Sequence, residues 1–553
     1  MALSDIGNSV IRNRAAMTGK NAPSPLMRTS LSDRGRARNA TSTICSVAAT
    51  TLLLTGCNGG TTQADRAQFI EPPQMERTIA ASGLKNTSVN SPWPNEEWWR
   101  RFRNRELDRL VDRALADNQN LHKARDTLTE AEASVQVASA RLLPSLQSDF
   151  WTRQSRNPNH GVVYSYNNGQ GGREKTSAFL TPFVMTWELD FWGKNQASME
   201  AAIGQAAAQE AEMEQTRLLL IAGVSRAYVR GYALAQQLET AGELIRLRRE
   251  MLSLAETRYQ TGLETADVVQ TARADYETSV RREATVRAAL EIQKNAIARM
   301  IGAGPDAARA LFIGKKSLAP VQPALPRRLP IELLAHRPDL AAAMRRAEAA
   351  SERIHVAKSL LMPSLDLSLA AGLEASVTSS QFNALSGYLF NPGATGFAVV
   401  PGFHLPVFQA GRLSGGLETR RAEYDQAVDS YNETVLQAAQ QVADALANLR
   451  RADTEYIAQA RSLKASANQL ELARARLRDG LKDRREIMQE QIDFQEASFA
   501  RQVLEGDRLV ASVDLFQALG GGYSDSAPAK PKPEPENDPL TPVVDEITRI
   551  TGG

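Results

Sequence analysis

Two kinds of hydrophobic pattern alternate along this chain, and the first has a period of two. In Leu365–Glu374 every second residue is apolar, and the residues between are small or polar. Similar alternation occurs in Ser145–Arg153, Phe179–Leu189 and Phe397–Leu405. Alternation over about ten residues is typical of membrane β-strands, and also of half-buried soluble strands. The pattern predicts four strands in two hairpins, and it predicts that the apolar face of the second strand comprises Phe179, Phe183, Met185 and Trp187.

The second pattern, which follows each pair of strands, has the period of a helix. No proline occurs from Phe183 to Gly304 or from Val407 to Ala527, although a proline costs a helix interior about 3 kcal/mol. Within both segments, apolar and small residues recur with alternating spacings of three and four, as in a coiled coil. Asp453 is a polar exception in the second segment. The pattern therefore predicts very long helices that pack side by side.

Each long segment contains one glycine at which the chain is expected to reverse. Gly262 and Gly480 lie in polar patches, and they end predicted helices over Lys194–Thr261 and Arg412–Asp479. At 1.5 Å per residue, a helix of about 68 residues reaches about 100 Å. This length is far greater than a globular domain requires. A cytosolic coiled-coil rod is the alternative explanation, and the N-terminal segment argues against it.

The two halves of the chain repeat each other. "NLHKARDTLTEAEASVQVASARLLPSL" from Asn120 aligns without a gap with "DLAAAMRRAEAASERIHVAKSLLMPSL" from Asp339. The reversing glycines keep nearly the same offset, which argues against chance similarity between alanine-rich helices. We predict two structural repeats, residues 106–328 and 329–522, with two strands in each. Four strands cannot close a barrel, because the smallest known barrels have about eight, so several chains must contribute.

The N-terminal region has the features of an export signal. Basic residues at positions 28–38 precede a short apolar stretch, Thr43–Leu54, which is too short for a spanning helix of about 20 residues. Leu54-Thr55-Gly56-Cys57 resembles a bacterial lipobox, in which a peptidase cuts before the cysteine and the thiol receives a diacylglycerol. An ordinary signal peptide with an incidental cysteine is the alternative.

The lipobox predicts where the N-terminal part of the chain is cleaved. Residues 1–56 are predicted to be a signal peptide, with Met17 and Met27 as alternative starts, and residues 57–105 a lipidated N-terminal segment. We expect a diacylglycerol and an N-acyl lipid on Cys57. Asn58 favours, by resemblance to bacterial sorting rules, passage to the outer membrane.

Composition limits the function classes that remain. Lys plus Arg number 65 and Asp plus Glu 63, a balance that gives no case for nucleic acid binding. The five histidines show no metal-ligand spacing, and P-loop and nucleophile-elbow motifs are absent. We therefore predict neither an enzyme nor a metal or other cofactor.

No run of 18 or more apolar residues occurs, so a spanning structure is expected to be a closed barrel. Residues 523–553 are rich in proline and charge, which predicts a disordered tail.

The lipobox, the two halves and three motifs resemble one known family. The motifs are "WELDFWGK" at Trp187–Lys194, "LPIELLAHRPDL" at Leu329–Leu340 and "LPVFQAGR" at Leu405–Arg412. They are similar to the outer-membrane factor family, the TolC-like efflux ducts, and more narrowly to its NodT/OprM-like lipoprotein branch. The resemblance covers roughly Trp93–Gly521, and it departs from the family where His336 replaces an arginine.

This resemblance implies both a fold and a function. The fold is an α+β membrane protein, a homotrimer with a 12-stranded β-barrel in the outer membrane and a long α-helical coiled-coil tunnel through the periplasm. The partners are outer-membrane lipid, a periplasmic adaptor (membrane fusion) protein and an inner-membrane pump, commonly proton-driven. The function is passive conduction of small toxic compounds or drugs from the pump–adaptor complex to the exterior. A duct for type I protein secretion is the alternative, and a structural periplasmic rod is a more distant one.

The resemblance also places a gate at the periplasmic tips, where the helices reverse and acidic residues form rings. The sixth and ninth positions after Gly480 are Glu486 and Gln489, so only the first keeps the acidic character of the family. In the first half Asp267 lies near the equivalent position. Solvated helix-face charges are the alternative for each of them. If Glu486 forms a ring, the arginines expected to compensate its charge are Arg478, Arg484 and Arg485.

Overall fold

The computed structural model describes residues 66–82, 87–88, 93–156, 174–311, 313, 318, 325–326, 336–377, 387–481 and 483–525. The chain divides after Gly60 into two compact units, and all described residues lie in the second, Thr61–Gly553. Cys57, the predicted signal peptide and the part of the predicted tail beyond Asp525 lie outside the described residues.

Long helices alternate with a few strands in the described part of the chain. The helices are α1 (Glu76–Ser82), α2 (Arg105–Asp117), α3 (Gln119–Ala140), α4 (Lys194–Gln260), α5 (Ala266–Met300), α6 (Pro305–Arg309), α7 (Pro338–Ser359), α8 (Arg412–Arg478) and α9 (Arg484–Ala518). The strands are β1 (Thr87–Ser88), β2 (Ser145–Arg156), β3 (Glu174–Leu189), β4 (Leu325–Pro326), β5 (Ser364–Val377) and β6 (Thr395–His404).

Glycines in left-handed backbone precede and follow the two longest helices. Gly193 and Gly411 have φ of 71° and 78° and stand before α4 and α8. Gly262 and Gly480 have φ of 74° and 72° and follow them. Glycine adopts this conformation without the steric cost that a Cβ would add. Both helices have 67 residues, which confirms the predicted arms to within one residue.

The two long helices end with the same hydrogen-bond pattern. The Leu263 N–H donates to the Arg258 carbonyl at 2.8 Å, and the Leu481 N–H donates to the Arg476 carbonyl at 2.7 Å. A bond from the residue after a left-handed glycine to a carbonyl five residues back belongs to the Schellman motif. The chain then returns as α5 and α9, each of 35 residues. The equal lengths agree with the internal repeat seen in the sequence.

The four longer strands form one antiparallel sheet in the order β2-β3-β5-β6. The two predicted hairpins are therefore adjacent, because β3 of the first repeat pairs with β5 of the second. One edge of the sheet is β2 and the other is β6, and neither outer edge has a partner strand within the described part of this chain. An open edge presents backbone N–H and C=O groups that can pair with a strand of another chain.

A β-bulge in β3 changes the predicted alternation of faces. Phe179 lies opposite Glu374 and Phe183 lies opposite Ala371, and positions 374 and 371 point to opposite faces of β5. The prediction that Phe179 shares the face of Phe183 is therefore wrong. The register shift between Leu180 and Phe183 reverses which side the earlier residues occupy.

Aromatic residues from both ends of the chain form the main core. Trp98, Phe102, Tyr228 and Phe516 are fully buried. The rings of Trp98 and Phe516 stack with centroids 4.9 Å apart and planes at 14°. This cluster packs the N-terminal segment and the end of α9 against the middle of α4.

Three successive glycines after α9 allow the backbone to approach this core closely. Gly520 and Gly522 have φ of 83° and 88°. A Cβ on Gly520 would lie 1.8 Å from the His336 carbonyl oxygen, and one on Gly522 would lie 2.3 Å from the Asn95 carbonyl carbon. Side chains at these positions would collide with main chain, which cannot move without disturbing two other segments.

The "HRPDL" motif lies at the same junction. Arg337 is 4% exposed, and its Nη1 donates to the Ala518 carbonyl at 2.7 Å while Nη2 lies 2.6 Å from the Asp339 carboxylate. The arginine thus joins the start of α7 to the end of α9. His336 stacks on Trp93 with ring centroids 4.5 Å apart.

Asp453, the polar exception in the second coiled-coil pattern, has a partner on the neighbouring helix. Its carboxylate forms an ion pair with Arg508 of α9. The same guanidinium lies 5.1 Å from the ring centre of Tyr456. The exception therefore contributes a polar contact between α8 and α9 rather than an interruption of their packing.

One described helix, α4, contains an 18-residue window that is apolar enough to cross a membrane by length and composition. Of that window, 67% is buried inside the protein. The apolar character of α4 therefore serves the packing of the helices around it.

Packed structure extends a few residues into the segment that the sequence assigns to a disordered tail. The Tyr523 carbonyl accepts a hydrogen bond from His336 Nδ1 at 2.9 Å. Asp525 pairs with Arg345 at 3.4 Å. The predicted boundary at Tyr523 thus precedes the end of the packed body.

Candidate functional site: a channel wall and a periplasmic tip

The sheet has one polar and one apolar face. On the polar face, Ser145 and Thr186 share a hydroxyl hydrogen bond of 2.7 Å, and Ser177 and Ser376 share one of 3.1 Å. On the other face, large side chains are exposed in this single chain: Leu146 (67%), Phe150 (61%), Phe183 (59%), Phe397 (85%) and Phe403 (69%). A wall with lipid on one side and water on the other requires this division.

The two helical reversals lie side by side at the end of the molecule remote from the sheet. Arg485 Nη1, in the first turn of α9, is 3.1 Å from Glu264 Oε1, in the turn before α5. Arg258 Nε, near the end of α4, lies 3.3 Å from the same oxygen. The Glu264 side chain is only 13% exposed. We call the Arg485–Glu264 contact the tip ion pair.

The tip ion pair was not predicted from the sequence, which singled out Arg485 only as a compensating charge for Glu486. One sequence feature points to the pair. Glu264 is the second residue after Gly262, and the second residue after Gly480 is Lys482. The two reversals therefore carry opposite charges at equivalent positions.

Glu486 lies in the first turn of α9 with an exposed side chain. Its backbone N–H donates to Asp483 Oδ1 at 3.0 Å, so Asp483 caps this helix. The structure thus places Glu486 beside the tip ion pair, and Arg485 is engaged with Glu264.

Gln489 and Asp267, the other two predicted gate residues, are also exposed. Gln489 Nε2 donates to Asp493 Oδ1 at 2.7 Å, along the same helix. Asp267 lies in the first turn of α5. A hydrogen bond from the Thr265 side chain, together with the Asp267 and Val268 backbone N–H groups, lowers the pKa of Asp267. A carboxylate in this position also interacts favourably with the helix dipole.

The first described residues, Arg66–Ile70, form an N-terminal strap along α8. Arg66 Nη1 lies 3.2 Å from Asp425 Oδ2. Asn432 accepts from the Ile70 N–H at 3.0 Å and donates to the Gln68 carbonyl at 2.8 Å. The strap therefore binds α8 through both charge and main-chain hydrogen bonds.

The strap continues into α1, which packs further along α8. Phe69 meets the Tyr431 ring edge-on, with centroids 5.3 Å apart. Met75 and Ile79 pack against Val442 and Leu446. The chain thus runs along α8 away from the sheet, and its first described residue is near the sheet end of that helix.

Among the described residues, no group of three or more His, Cys, Asp and Glu side chains is arranged to hold a metal ion. The features that remain are structural: an open-edged sheet with a lipid-like face, continued by two pairs of long helices that reverse together. These features define a subunit of an outer-membrane channel. The chain belongs to the family of outer membrane efflux proteins, whose model matches residues 110–303 and 329–521.

Known members extend the likeness over most of the chain. The multidrug resistance outer membrane protein MdtP of Shigella flexneri is 27% identical over 493 residues, 87% of this chain and 96% of that protein. The pyoverdine export outer membrane protein OpmQ of Pseudomonas putida is 28% identical over 465 residues, 83% of this chain and 95% of that protein. The crystal structure of the outer membrane protein VceC from Vibrio cholerae is similar with a TM-score of 0.68 and 28% identity, over 78% of this chain and 100% of that one.

Family membership confirms the predicted architecture and location. The protein is an outer-membrane channel and not an enzyme. Three copies, each with four strands, complete a 12-stranded barrel, and their long helices continue it as a tunnel into the periplasm. The open edges of the sheet are thus the joints between subunits.

Proposed function

We propose that this channel is the outer-membrane duct of a tripartite efflux system. It conducts small toxic compounds or drugs passively to the exterior. A periplasmic adaptor protein and an inner-membrane pump, commonly proton-driven, deliver them to its periplasmic mouth. The observation that carries the proposal is the pair of 67-residue helices that continue from the sheet. At 1.5 Å per residue they reach about 100 Å, far enough for contact with partners remote from the outer membrane.

The names of the relatives support efflux of small molecules over the secretion of proteins. One relative is named for multidrug resistance and another for export of pyoverdine. A type I secretion duct shares the fold and remains the alternative. Deletion of the gene separates the two functions: efflux predicts greater susceptibility to a panel of drugs and an unchanged set of secreted proteins. Unchanged susceptibility with loss of a secreted protein would support secretion instead.

The gate of this duct lies at the helical reversals. Three-fold symmetry repeats every tip residue around one axis, so inward carboxylates would stand close together. Glu486 is the main acidic residue of the constriction, with Asp267 and Gln489 beside it. The tip ion pair holds the second helical hairpin of each subunit against the first, and this contact favours the closed state.

Each subunit also carries lipid on Cys57, both as a thioether-linked diacylglycerol and as an N-acyl chain. The roughly nine residue steps from Cys57 to Arg66 span at most about 32 Å. Asp425, the partner of Arg66, lies about 13 residues, or about 20 Å, from the sheet end of α8. The connecting chain is therefore long enough to reach the level of the membrane. Buried acyl chains contribute about 0.8 kcal/mol per CH₂ to this anchoring.

A further inference from the structure

The polar face of the sheet carries an aromatic pair whose position depends on the bulge in β3. Trp151 and Phe179 lie directly opposite each other on β2 and β3. Their rings are stacked, with centroids 4.0 Å apart and planes at 15°. Trp151 remains 45% exposed. Without the bulge, the alternation of β3 would place Phe179 among the lipid-facing side chains.

The neighbouring hydroxyls confirm which face this pair occupies. Ser177 and Ser376 are opposite each other two residues further along their strands, and their hydroxyls are 3.1 Å apart. Phe150, the neighbour of Trp151 on β2, points to the opposite, apolar face. Because the apolar face meets lipid in the barrel, the aromatic pair faces the lumen.

A carboxylate extends this aromatic pair across a third strand. Glu374 lies directly opposite Phe179 on β5 and is exposed. Within the described ranges, its side chain makes no ion pair or hydrogen bond. Asp149, two residues before Trp151, accepts a hydrogen bond from Gln147 Nε2 at 3.3 Å. Arg153, two residues beyond Trp151 on the same face of β2, lies opposite Ser177 and is separated from Glu374 by β3.

We propose that Trp151, Phe179 and Glu374 form a transit site for aromatic cations on the lumen wall, with three copies in each trimer. Ring faces attract cations and stack with other rings. The carboxylate supplies the complementary charge beside them. The proposal rests on the conducting function of the channel and names one class of compound that its lumen favours.

The exposure of the site suits passage rather than retention. Conduction requires binding that favours entry and yet is weak enough for release. A half-exposed aromatic pair on an open wall contacts a ligand from one side only. Three such sites at one level of the barrel form a shallow band through which a cation passes.

Single-channel recordings of the trimer in planar bilayers test this site. Tetraphenylphosphonium is added on the barrel side, so that it reaches the site without crossing the periplasmic tip. Tetramethylammonium, a cation without rings, serves as the comparison compound. We expect tetraphenylphosphonium to reduce the current at concentrations at which tetramethylammonium does not. Trp151→Leu and Phe179→Leu should weaken this block by about fivefold or more, and Glu374→Gln should also weaken it.

Phe150→Leu is the matched control, because it removes an aromatic ring from the adjacent position on the lipid face. It should leave the block unchanged. Equal block in wild type and in all lumen variants would overturn the proposal, as would an equal loss in Phe150→Leu. If Trp151→Leu does not assemble, the block measured in Phe179→Leu and Glu374→Gln tests the proposal.

A second measurement separates this site from the efflux function. Equilibrium binding of radiolabelled tetraphenylphosphonium to trimers in lipid nanodiscs needs no current. If the wild-type trimer binds tetraphenylphosphonium and the same variants weaken this binding, the site is supported even when the trimer does not conduct. A trimer that binds but does not conduct would count against the proposed function alone. Binding that is equal in all variants overturns the site, whatever the drug susceptibility of the deletion strain.

Discussion

Arg485 and Glu264 are 221 residues apart in the chain, and their side chains meet at 3.1 Å where the two helical hairpins end. Each hairpin closes on its own through a Schellman motif, and the ion pair joins one closed turn to the other. Arg258 contacts the same carboxylate from within the first hairpin. At the periplasmic end of each subunit, one acidic side chain therefore lies between two arginines, one from each hairpin.

The first prediction concerns this tip ion pair. Arg485→Ala and Glu264→Gln should each increase the channel's conductance or open probability in planar bilayers, because they remove the ion pair that joins the ends of the two hairpins. The double variant should add little to either single variant, since both remove the same contact. Arg246→Ala removes two ion pairs within α4, with Glu243 and Glu250, and serves as the control. Closed-state currents equal to wild type in both tip variants would place the closing contact elsewhere.

The second prediction concerns Glu486. Three copies of an inward carboxylate repel one another and attract cations, so divalent cations should block the channel from the periplasmic side. Glu486→Ala should weaken this block or alter conductance. Glu471→Ala, about two helical turns before the end of α8 at Arg478, should do neither. If Glu486→Ala conducts and is blocked like wild type, Glu486 is a solvated helix-face charge.

The third prediction concerns the lipid on Cys57. Cys57→Ser should abolish labelling by a clickable palmitate analogue and slow the processing of the precursor, because the hydroxyl of serine cannot form the thioether. Cys45→Ser, within the predicted signal peptide, is the matched control and should keep the label. The trimer should still insert, because the barrel is the main anchor. A label that persists in Cys57→Ser would contradict acylation at this residue.

The fourth prediction concerns the buried phenol of Tyr228. Its hydroxyl oxygen lies 3.1 Å from Asn104 Oδ1 and 3.0 Å from Glu106 Oε2, and these two acceptors share its one proton. Burial and the Glu106 charge raise the pKa of Tyr228 well above its ordinary value. As the pH rises past about 10, the unfolded chain releases this proton first, so the free energy of unfolding should fall.

Thermal unfolding followed by circular dichroism between pH 8 and 11 tests this dependence. Tyr228→Phe should be less stable by about 1–2 kcal/mol at pH 8, because it loses hydrogen bonds of a buried group. Its stability should then decline less steeply with pH than that of wild type. Tyr259→Phe, at an exposed position, should follow wild type. Parallel curves for wild type and Tyr228→Phe would show that this phenol does not control alkaline stability.

Local backbone chemistry explains why the helices were predictable to within a residue. Gly262 and Gly480 adopt the left-handed conformation that ends a helix, and prolines are absent between the ends. The existence of the four longer strands was also predictable, because one face of each strand meets lipid and the other meets water. The face on which Phe179 lies was not predictable, because the bulge arises from the pairing of β3 with its neighbours. The hydrophobic alternation of β3 itself does not indicate it.

The candidate site, like the fold, was predictable only in part. The proposed location of the gate follows from the reversing glycines, and the choice of Glu486 follows from a family pattern. The tip ion pair depends on how two distant hairpins lie against each other, and only the opposite charges of Glu264 and Lys482 at equivalent positions hint at it. The sequence analysis considered Arg485 only as a compensating charge for Glu486, its neighbour in the chain, and so did not find its contact with Glu264.

The equal lengths of the repeated helices have a consequence for the symmetry of the assembly. α4 and α8 have 67 residues each, and α5 and α9 have 35 each. Three subunits therefore present six hairpins of matching length, and the periplasmic mouth approaches six-fold symmetry although only three chains build it. A partner ring of six identical subunits would therefore meet six hairpin tips of similar shape. The charges of these tips would alternate around the ring, because the two hairpins of each chain carry opposite charges at equivalent positions.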